Sequence, residues 1–481
     1  MADAPDVKGM AWQRQERSGV IVRDTYEGPL HIRDKGPTYL PQFPRESVQA
    51  YKDRLATSVF YNWMARTVNG LTGLIFRKPP RLAEDLPAAL IGLWENIDLR
   101  GTHGDVFCRR RHRDGEIDGH FCILVDMQRA PSAATKAEEQ RAGLRPYWIG
   151  VQKQDIYGFE EIEVAGRTML SHLRFGEVIA ERSGYAEKEI RRVREYNLTV
   201  DEAGNRAVAF TVWARREDAE GKEAWLVDDE GIMSIDEIPL AVGYVGEEVG
   251  TLESKPPHLS LALENVKHYQ LTSDNDNVLH LCSVPIFVRI GYSEPDGDDT
   301  RAPSSGVDLP VDGDAKYVEP AGTGLEAAER RIAKSEQRMA LLGLSMLQSE
   351  SRAAETATSK RIDKAESDSA LSTHARASQD AFEEALRLTA KWLGVEGDMP
   401  AKNDDARWIA LNMDFEQLVM DAQTITALSN MVSARQLTEE TLWSMLERAE
   451  VLPADFDPEV ERAKLDGEGM AAPQLGLGIA A

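Results

Sequence analysis

Residues 146–250 alternate apolar and polar positions, with Gly166, Gly184, Asn205, Gly221 and Gly231 as turn punctuation. Val208-Ala209-Phe210-Thr211-Val212-Trp213 and Ala224-Trp225-Leu226-Val227 carry the pattern most clearly. A two-residue period puts successive side chains on opposite faces of a sheet, so the region reads as about six or more strands. Helical periodicity stands on both sides of it. The fold class that accommodates both is α+β.

Before this β region, Val48, Tyr51, Leu55, Val59, Trp63, Val68, Leu71 and Ile75 recur at mostly three- and four-residue spacings, predicting a helix over 46–76 that ends at Pro79-Pro80. Residues 1–44, punctuated by Gly28, Pro29, Gly36, Pro37, Pro41 and Pro44, read as an extended N-terminal arm. Further helices are expected over 86–97 and 102–114, then an apolar strand at 121–125 and a surface loop at 128–145.

After Pro256-Pro257 the chain returns to helix as far as His280. A strand at 286–290, a loop rich in Asp, Gly and Pro at 291–315, and a strand at 316–319 follow. A long helical section then runs over 325–393. Its first part keeps a near-heptad stripe of Leu325, Ala328, Ile332, Met339, Leu342 and Met346, which Ser335 interrupts. Residues 348–360 lack large apolar side chains and read as a loop or frayed helix. A strand at 407–413 and helices at 416–432, 438–449 and 458–466 close the pattern, before a tail that reads as flexible.

Composition narrows the function. The chain has 481 residues, 42 % of them hydrophobic, enough for a substantial core. No run approaches the roughly 20 apolar residues of a membrane-spanning helix, and the first residues carry no apolar segment of the secretory kind. Three cysteines, Cys108, Cys122 and Cys282, without a CxxC spacing, read as reduced thiols. The formal charge of −25 argues against tight, sequence-specific DNA binding. It leaves open a conduit to which DNA must not adhere, and equally an ordinary acidic protein.

Motifs for chemistry are missing. There is no GxxxxGK[ST], HExxH, GxSxG or GxGxxG. Asp274-Asn275-Asp276-Asn277-Val278 and Asp296-Gly297-Asp298-Asp299-Thr300 lack the spacing of a calcium loop. Cys108, His112, His120 and Cys122 are zinc-compatible residue types, but their spacing matches no knuckle and Cys122 lies in an apolar strand. The basic run Arg109-Arg110-Arg111-His112-Arg113 admits a phosphate contact or a solvated, salt-bridging helix face, the second being the simpler reading. No catalytic residue, metal site or cofactor is therefore expected.

Four stretches carry a family resemblance. They are TYLPQFPRESVQAYKDRLATSVFYNWMARTVNGLTGLIFRKPP (38–80); LWENIDLRGTH (93–103) with GHFCILVDM (119–127); RPYWIGVQKQDIYGF (145–159); and LSLALENVKHYQLTSDNDNVLHLCSVPIFVRIG (259–291). In this order they resemble the portal proteins of tailed bacteriophages, in particular a subfamily long catalogued only as a domain of unknown function. The region beyond Val395 follows that family by element order alone, and the family has no fixed basic run at Arg109–Arg113.

The resemblance implies a portal fold: an α/β wing over 45–255 joined by a strand at 402–415, and stem helices at 256–283 and 321–346. Between and after these come a small clip at 284–320, a tunnel loop at 347–357, a long tunnel helix at 358–394 and an α-helical C-terminal crown over 416–481. It implies a homo-oligomeric ring of about twelve subunits at a capsid vertex of the virion, assembled in the host cytoplasm. The implied partners are the terminase large subunit, the head–tail adaptor, the major capsid and scaffold proteins, and double-stranded DNA passing through non-specifically; no membrane is involved. Such a protein conducts DNA in packaging and ejection and is not an enzyme.

Beside the resemblance, 284–320 holds eight acids, among them Asp296, Asp298, Asp299, Asp312 and Asp314, against three bases, Arg289, Arg301 and Lys316. Repeated around a ring, that acidity repels DNA. Lys334, Arg338, Arg352, Lys360 and Arg361 fall on or beside the implied channel elements, where a sparse basic ring steadies phosphates; pairing with Glu336, Glu350 or Glu355 is the competing reading. The rival for the whole chain is a cytosolic α+β enzyme or binding protein with an unrecognised site. A smaller head–tail adaptor is disfavoured by the chain's length.

Overall fold

The computed structural model describes residues 4–128, 143–164, 166–202, 204–218, 220–282, 286–290, 312–318, 324–344, 357–402, 407–413, 415, 422–449, 451–452 and 456–468. The chain divides into Met1–Met413 and Asp414–Ala481. Both sheets and helices are present, as the α+β reading requires.

The first unit opens with helices α1 (Met10–Glu27), α2 (Pro29–Lys35), α3 (Val48–Thr57) and α4 (Trp63–Ile75). An extended arm over 1–44 is therefore not what forms. Gly28 (φ 95°) closes α1, and Pro29 occupies the first turn of α2, where its missing N–H costs nothing. These breakers mark joints between helices. Val22 of α1 is fully buried with Met64, Val68, Ile117, Leu261, Ala262 and Met339, so α1 belongs to the core.

The helix expected over 46–76 is two. Ser47 caps α3 by accepting from the Ala50 N–H, and Asn62 caps α4 by accepting from the Ala65 N–H. Between them Phe60 turns inward against Ile32, Tyr39, Leu40 and Tyr269. The strand β1 (Arg81–Leu82), the short α5 (Ala88–Ile91) and α6 (Gly104–Asp118) follow. The helix expected over 86–97 is thus one turn of α5 and a 3-10 turn at Trp94–Asn96.

From α6 the chain reverses through Gly119 (φ 92°) into β2 (His120–Met127), the centre of an antiparallel sheet with β3 (Pro146–Val151) and β9 (Leu240–Tyr244). Residues His120–Asp126 of β2 are all buried, so both faces of the strand are covered. A second sheet is a five-stranded antiparallel meander: β4 (Ile156–Val164), β5 (Arg167–Ser183), β6 (Ala186–Val200), β7 (Arg206–Glu217) and β8 (Glu223–Ile232). β7 shows the alternation read from sequence, with Val208, Phe210, Val212 and Ala214 inward. β10 (Glu247–Gly250) pairs with β11 (Glu253–Lys255).

Next come α7 (Leu259–Cys282), β12 (Ile286–Ile290), β13 (Asp314–Val318), α8 (Leu325–Met339) with a π-turn at Ala340–Leu344, and the 37-residue α9 (Ala357–Leu393). Of the run 348–360 read as a loop, 357–360 is helical and the rest lies outside the described residues. β14 (Ile409–Ala410) pairs with β1, so the strand expected over 407–413 has two residues. Most of that segment is held by side chains instead. The buried Glu383 of α9 accepts from the Trp408 N–H (2.9 Å) and Arg407 Nη1 (3.1 Å) and pairs with Lys402, and Gln379 Oε1 accepts from the Leu411 N–H (3.2 Å).

α9 crosses the β3–β2–β9 sheet. Phe382 meets Phe121 with ring centroids 5.5 Å apart, the Trp148 indole donates to Thr389 (2.8 Å), and the Trp392 indole donates to the Val125 carbonyl (2.9 Å).

The second unit carries α10 (Ala422–Ser433), α11 (Glu439–Arg448) and α12 (Pro458–Glu468). Thr438 caps α11, Trp443 and Phe456 meet edge to face at 5.8 Å, and Arg462 pairs with Glu440 at 3.0 Å. No described helix in either unit is long and apolar enough to cross a membrane.

Candidate nucleic-acid interface

The candidate interface lies on α7, the β12–β13 hairpin and α8. The two helices run antiparallel: Glu264 of α7 accepts a 2.6 Å hydrogen bond from the Ser335 hydroxyl of α8, and His268 Nε2 lies 3.3 Å from Glu336 Oε1. Arg338 reaches the same Glu264 at 3.9 Å. Further along α7, burial raises the pKa of Asp274, opposed by Arg54, Lys267 and Arg331. Ser335, which breaks the apolar stripe in the sequence, is therefore a buried polar contact of the helix pair.

Near its N-terminal end, α7 is tied down by Asn265. Its Oδ1 accepts from the Met64 N–H (3.2 Å) and its Nδ2 donates to the Tyr61 carbonyl (2.9 Å). Halfway along, Arg54 of α3 grips Glu46 (2.7 Å), donates to the Pro41 carbonyl (2.8 Å) and stacks over Phe43 at 4.1 Å. Its guanidinium also approaches Ser273 of α7 at 3.4 Å. These contacts fix one end of the helix pair and leave the hairpin at the other.

The hairpin runs in antiparallel register from Ile286 against Val318 to Ile290 against Asp314. Of the acids singled out from sequence, Asp312 and Asp314 are exposed at its edge. Asp296, Asp298 and Asp299 lie outside the described residues.

Of the bases, Lys334 and Arg338 are exposed on α8, four residues apart on one side of the helix. Arg330 continues the stripe one turn earlier and Arg331 flanks it, both exposed. Sequence reading missed these two, although the four-residue spacing was visible. Arg352 lies outside the described residues, as do the side chains of Lys360 and Arg361 in the first turns of α9. The structure thus brings together Lys334 and Arg338 and leaves the other three unplaced.

The run Arg109–Arg113 divides along α6. Arg109 and Arg110 are exposed, and Arg111 pairs with Asp114 at 2.9 Å and lies against Phe107. The zinc-type residues also separate: His112 Nδ1 meets Ser378 Oγ (2.7 Å) and His120 Nδ1 meets Ser254 Oγ (2.7 Å). Cys108 and Cys122 are buried thiols whose pKa values burial pushes up, that of Cys122 to about 12. Among the described residues no group of His, Cys, Asp and Glu is arranged to hold a metal ion.

In solved structures, the chain is similar to chains of gene transfer agent particles. One is described as the neck of an empty gene transfer agent particle computed with C6 symmetry (TM-score 0.39, 11 % identity, 88 % of this chain and 94 % of that one). Another comes from the virion of a native gene transfer agent particle (0.35, 12 %, 91 % and 99 %), and a third from the neck of a native particle computed with C12 symmetry (0.37, 12 %, 87 % and 99 %). Residues 257–393, from just before α7 to the end of α9, match the family described as a domain of unknown function, DUF4055. No curated protein matches the chain.

Proposed function

We propose that this chain is a portal subunit. Copies of it close into a ring of about twelve around an axial channel at one capsid vertex. DNA passes through that channel non-specifically during packaging and ejection. The β12–β13 hairpin is the clip on which the terminase large subunit, and later the head–tail adaptor, docks. The major capsid and scaffold proteins surround the ring, and the hydrolysis that drives packaging belongs to the docked motor, so this chain performs no catalysis.

The observation that carries this reading is the α7–β12–β13–α8 succession, two antiparallel helices anchored at one end and joined at the other by a small hairpin with acidic edge residues. An acidic lining repels a phosphate backbone, and a thin basic stripe such as Arg330–Lys334–Arg338 steadies it without arresting it.

The test is the mass of the full-length protein by multi-angle light scattering, with negative-stain images of the same peak. A species near a dozen subunits with a central hole is expected. A monomer or dimer that persists at high concentration and with scaffold protein present would overturn the reading in favour of an acidic enzyme or binding protein.

A further inference from the structure

Where α6, the start of α7 and α9 meet, one carboxylate is surrounded by three imidazoles. Glu116, fully buried, has His374 Nδ1 at 2.9 Å and His112 Nε2 at 3.1 Å from Oε1, and His258 Nε2 at 2.9 Å from Oε2. The groups come from separate elements: Glu116 and His112 from α6, His258 from the turn before α7, and His374 from α9. His112 also reaches α9 through Ser378, one turn beyond His374. We propose that this cluster is a protonation-controlled clasp, which holds α9 on the wing while His374 carries its proton and releases that end of the helix when the proton leaves.

The electrostatics support the geometry. Burial alone would raise the pKa of Glu116, but the charge of His374 and the contacts from all three imidazoles hold it well below the usual carboxylate range. Burial works against the cation of His374, yet the charge and hydrogen bond of Glu116 keep its pKa above the ordinary value. The stable form is a carboxylate facing the His374 imidazolium, with His112 and His258 also in contact with it. α4 faces it with Leu71, Phe76 at the C-cap of α4 lies against His112, and the π-turn faces it with Leu341 and Leu342, none of them titratable. Arg113 of α6 acts on Asp114, and Asp380 and Glu383 of α9 are paired with Arg407.

His374 is the member that can exchange its proton. Its side chain is 18 % exposed, against 8 % for His258 and none for His112 and Glu116. Beside it lies a cavity of about 100 Å³ lined by Leu71, His258, Leu341, Leu342, Leu371 and His374. That volume admits water once the pair is broken, so the released state can be solvated without unfolding the wing. The sign follows from linkage. A raised histidine pKa contributes stability that is full below about pH 6.5 and is lost as pH rises through the folded value, so release comes on the alkaline side.

The test is hydrogen–deuterium exchange of the full-length protein in chelator-containing buffer from about pH 6 to about pH 9, corrected for intrinsic exchange. Protection of α9 peptides around 370–380 is expected to fall about tenfold or more over that range, while 385–393 stays protected. His374→Gln should flatten the profile at low protection. His374→Arg, a fixed cation with the cavity beside it, should keep protection high at both ends. Glu116→Gln should abolish the pH dependence. A wild-type profile without pH dependence, or an unchanged fall in His374→Arg, would overturn the clasp, and the wild-type measurement decides even if a variant fails to fold. The inference concerns one chain and stands or falls independently of ring formation.

Discussion

The Ser335 hydroxyl donates a 2.6 Å hydrogen bond to Glu264 across the α7–α8 pair, at a position where the heptad stripe of α8 calls for an apolar residue. A hydrogen bond to a carboxylate is worth about 1.5–3 kcal/mol, and removing the donor leaves a half-buried charge short of a partner. Ser335→Ala is therefore expected to destabilise the chain by that amount in urea unfolding, although it improves helix propensity. A neutral or stabilising result would mean that Arg338 takes over the carboxylate.

Glu383 of α9 is fully buried and holds Arg407, Lys402 and the Trp408 N–H. Losing its charge-assisted hydrogen bonds to partly exposed cations and to a backbone N–H costs about 1–3 kcal/mol. Glu383→Ala should show that loss, together with early proteolytic cleavage in 400–413. Loss of stability without faster cleavage there would mean that β14 holds the segment unaided.

Gly119 turns α6 into β2 at φ 92°, and a Cβ there would sit 2.6 Å from the Lys255 carbonyl oxygen. Backbone strain of this kind costs about 1–3 kcal/mol before the clash is counted. Gly119→Ala should lower the melting temperature more than Gly143→Ala, which has a positive φ but open space around it.

His120 is buried against Ser254, and burial, reinforced by the positive charge of Lys153, lowers its pKa to about 3. A depressed histidine contributes stability that is present above its unfolded value of about 6.5 and is lost as pH falls through the interval towards the folded one. The wild type should lose stability on acidification in that interval, and His120→Gln should lose less of it. Identical slopes in a urea-midpoint series would exclude His120 as the source.

Lys334 and Arg338 stand on the exposed stripe of α8. If DNA passes along it, Lys334→Glu combined with Arg338→Glu should lower the salt dependence of non-specific duplex binding by about 1–2 in log–log slope. An unchanged slope would assign both residues to contacts between proteins.

The sequence made some features legible and hid others for physical reasons. The β meander was visible because β7 buries alternate residues, Val208, Phe210, Val212 and Ala214. The helices α7 and α9 were visible from their length. α1 was hidden because it is held by polar contacts as much as by packing: Arg23 pairs with Asp118 and Glu16, and Trp12 donates to the Gln154 carbonyl. Its flanking Gly and Pro then suggested loop. The interruption at 58–62 was masked by Val59, which fits the helical stripe but is exposed.

The candidate interface was legible in its bases on α8, Lys334 and Arg338, and hidden in Arg330 and Arg331. The clasp was half-visible. His112 and Glu116 stand four residues apart on one helix, a spacing that can be read directly. His258 and His374 lie far away in sequence, and only tertiary folding brings them to the carboxylate.

The pairing of β1 with β14 and the seat of α9 on the β3–β2–β9 sheet have a consequence for how the molecule is made. Strands translated first wait for their cover until residue 413 has left the ribosome, a delay of roughly ten to thirty seconds after β11 at about 5–20 residues per second. Throughout that interval the apolar strand β2 lacks the helix that shields it. Newly made chains are thus most vulnerable to aggregation before their last third arrives.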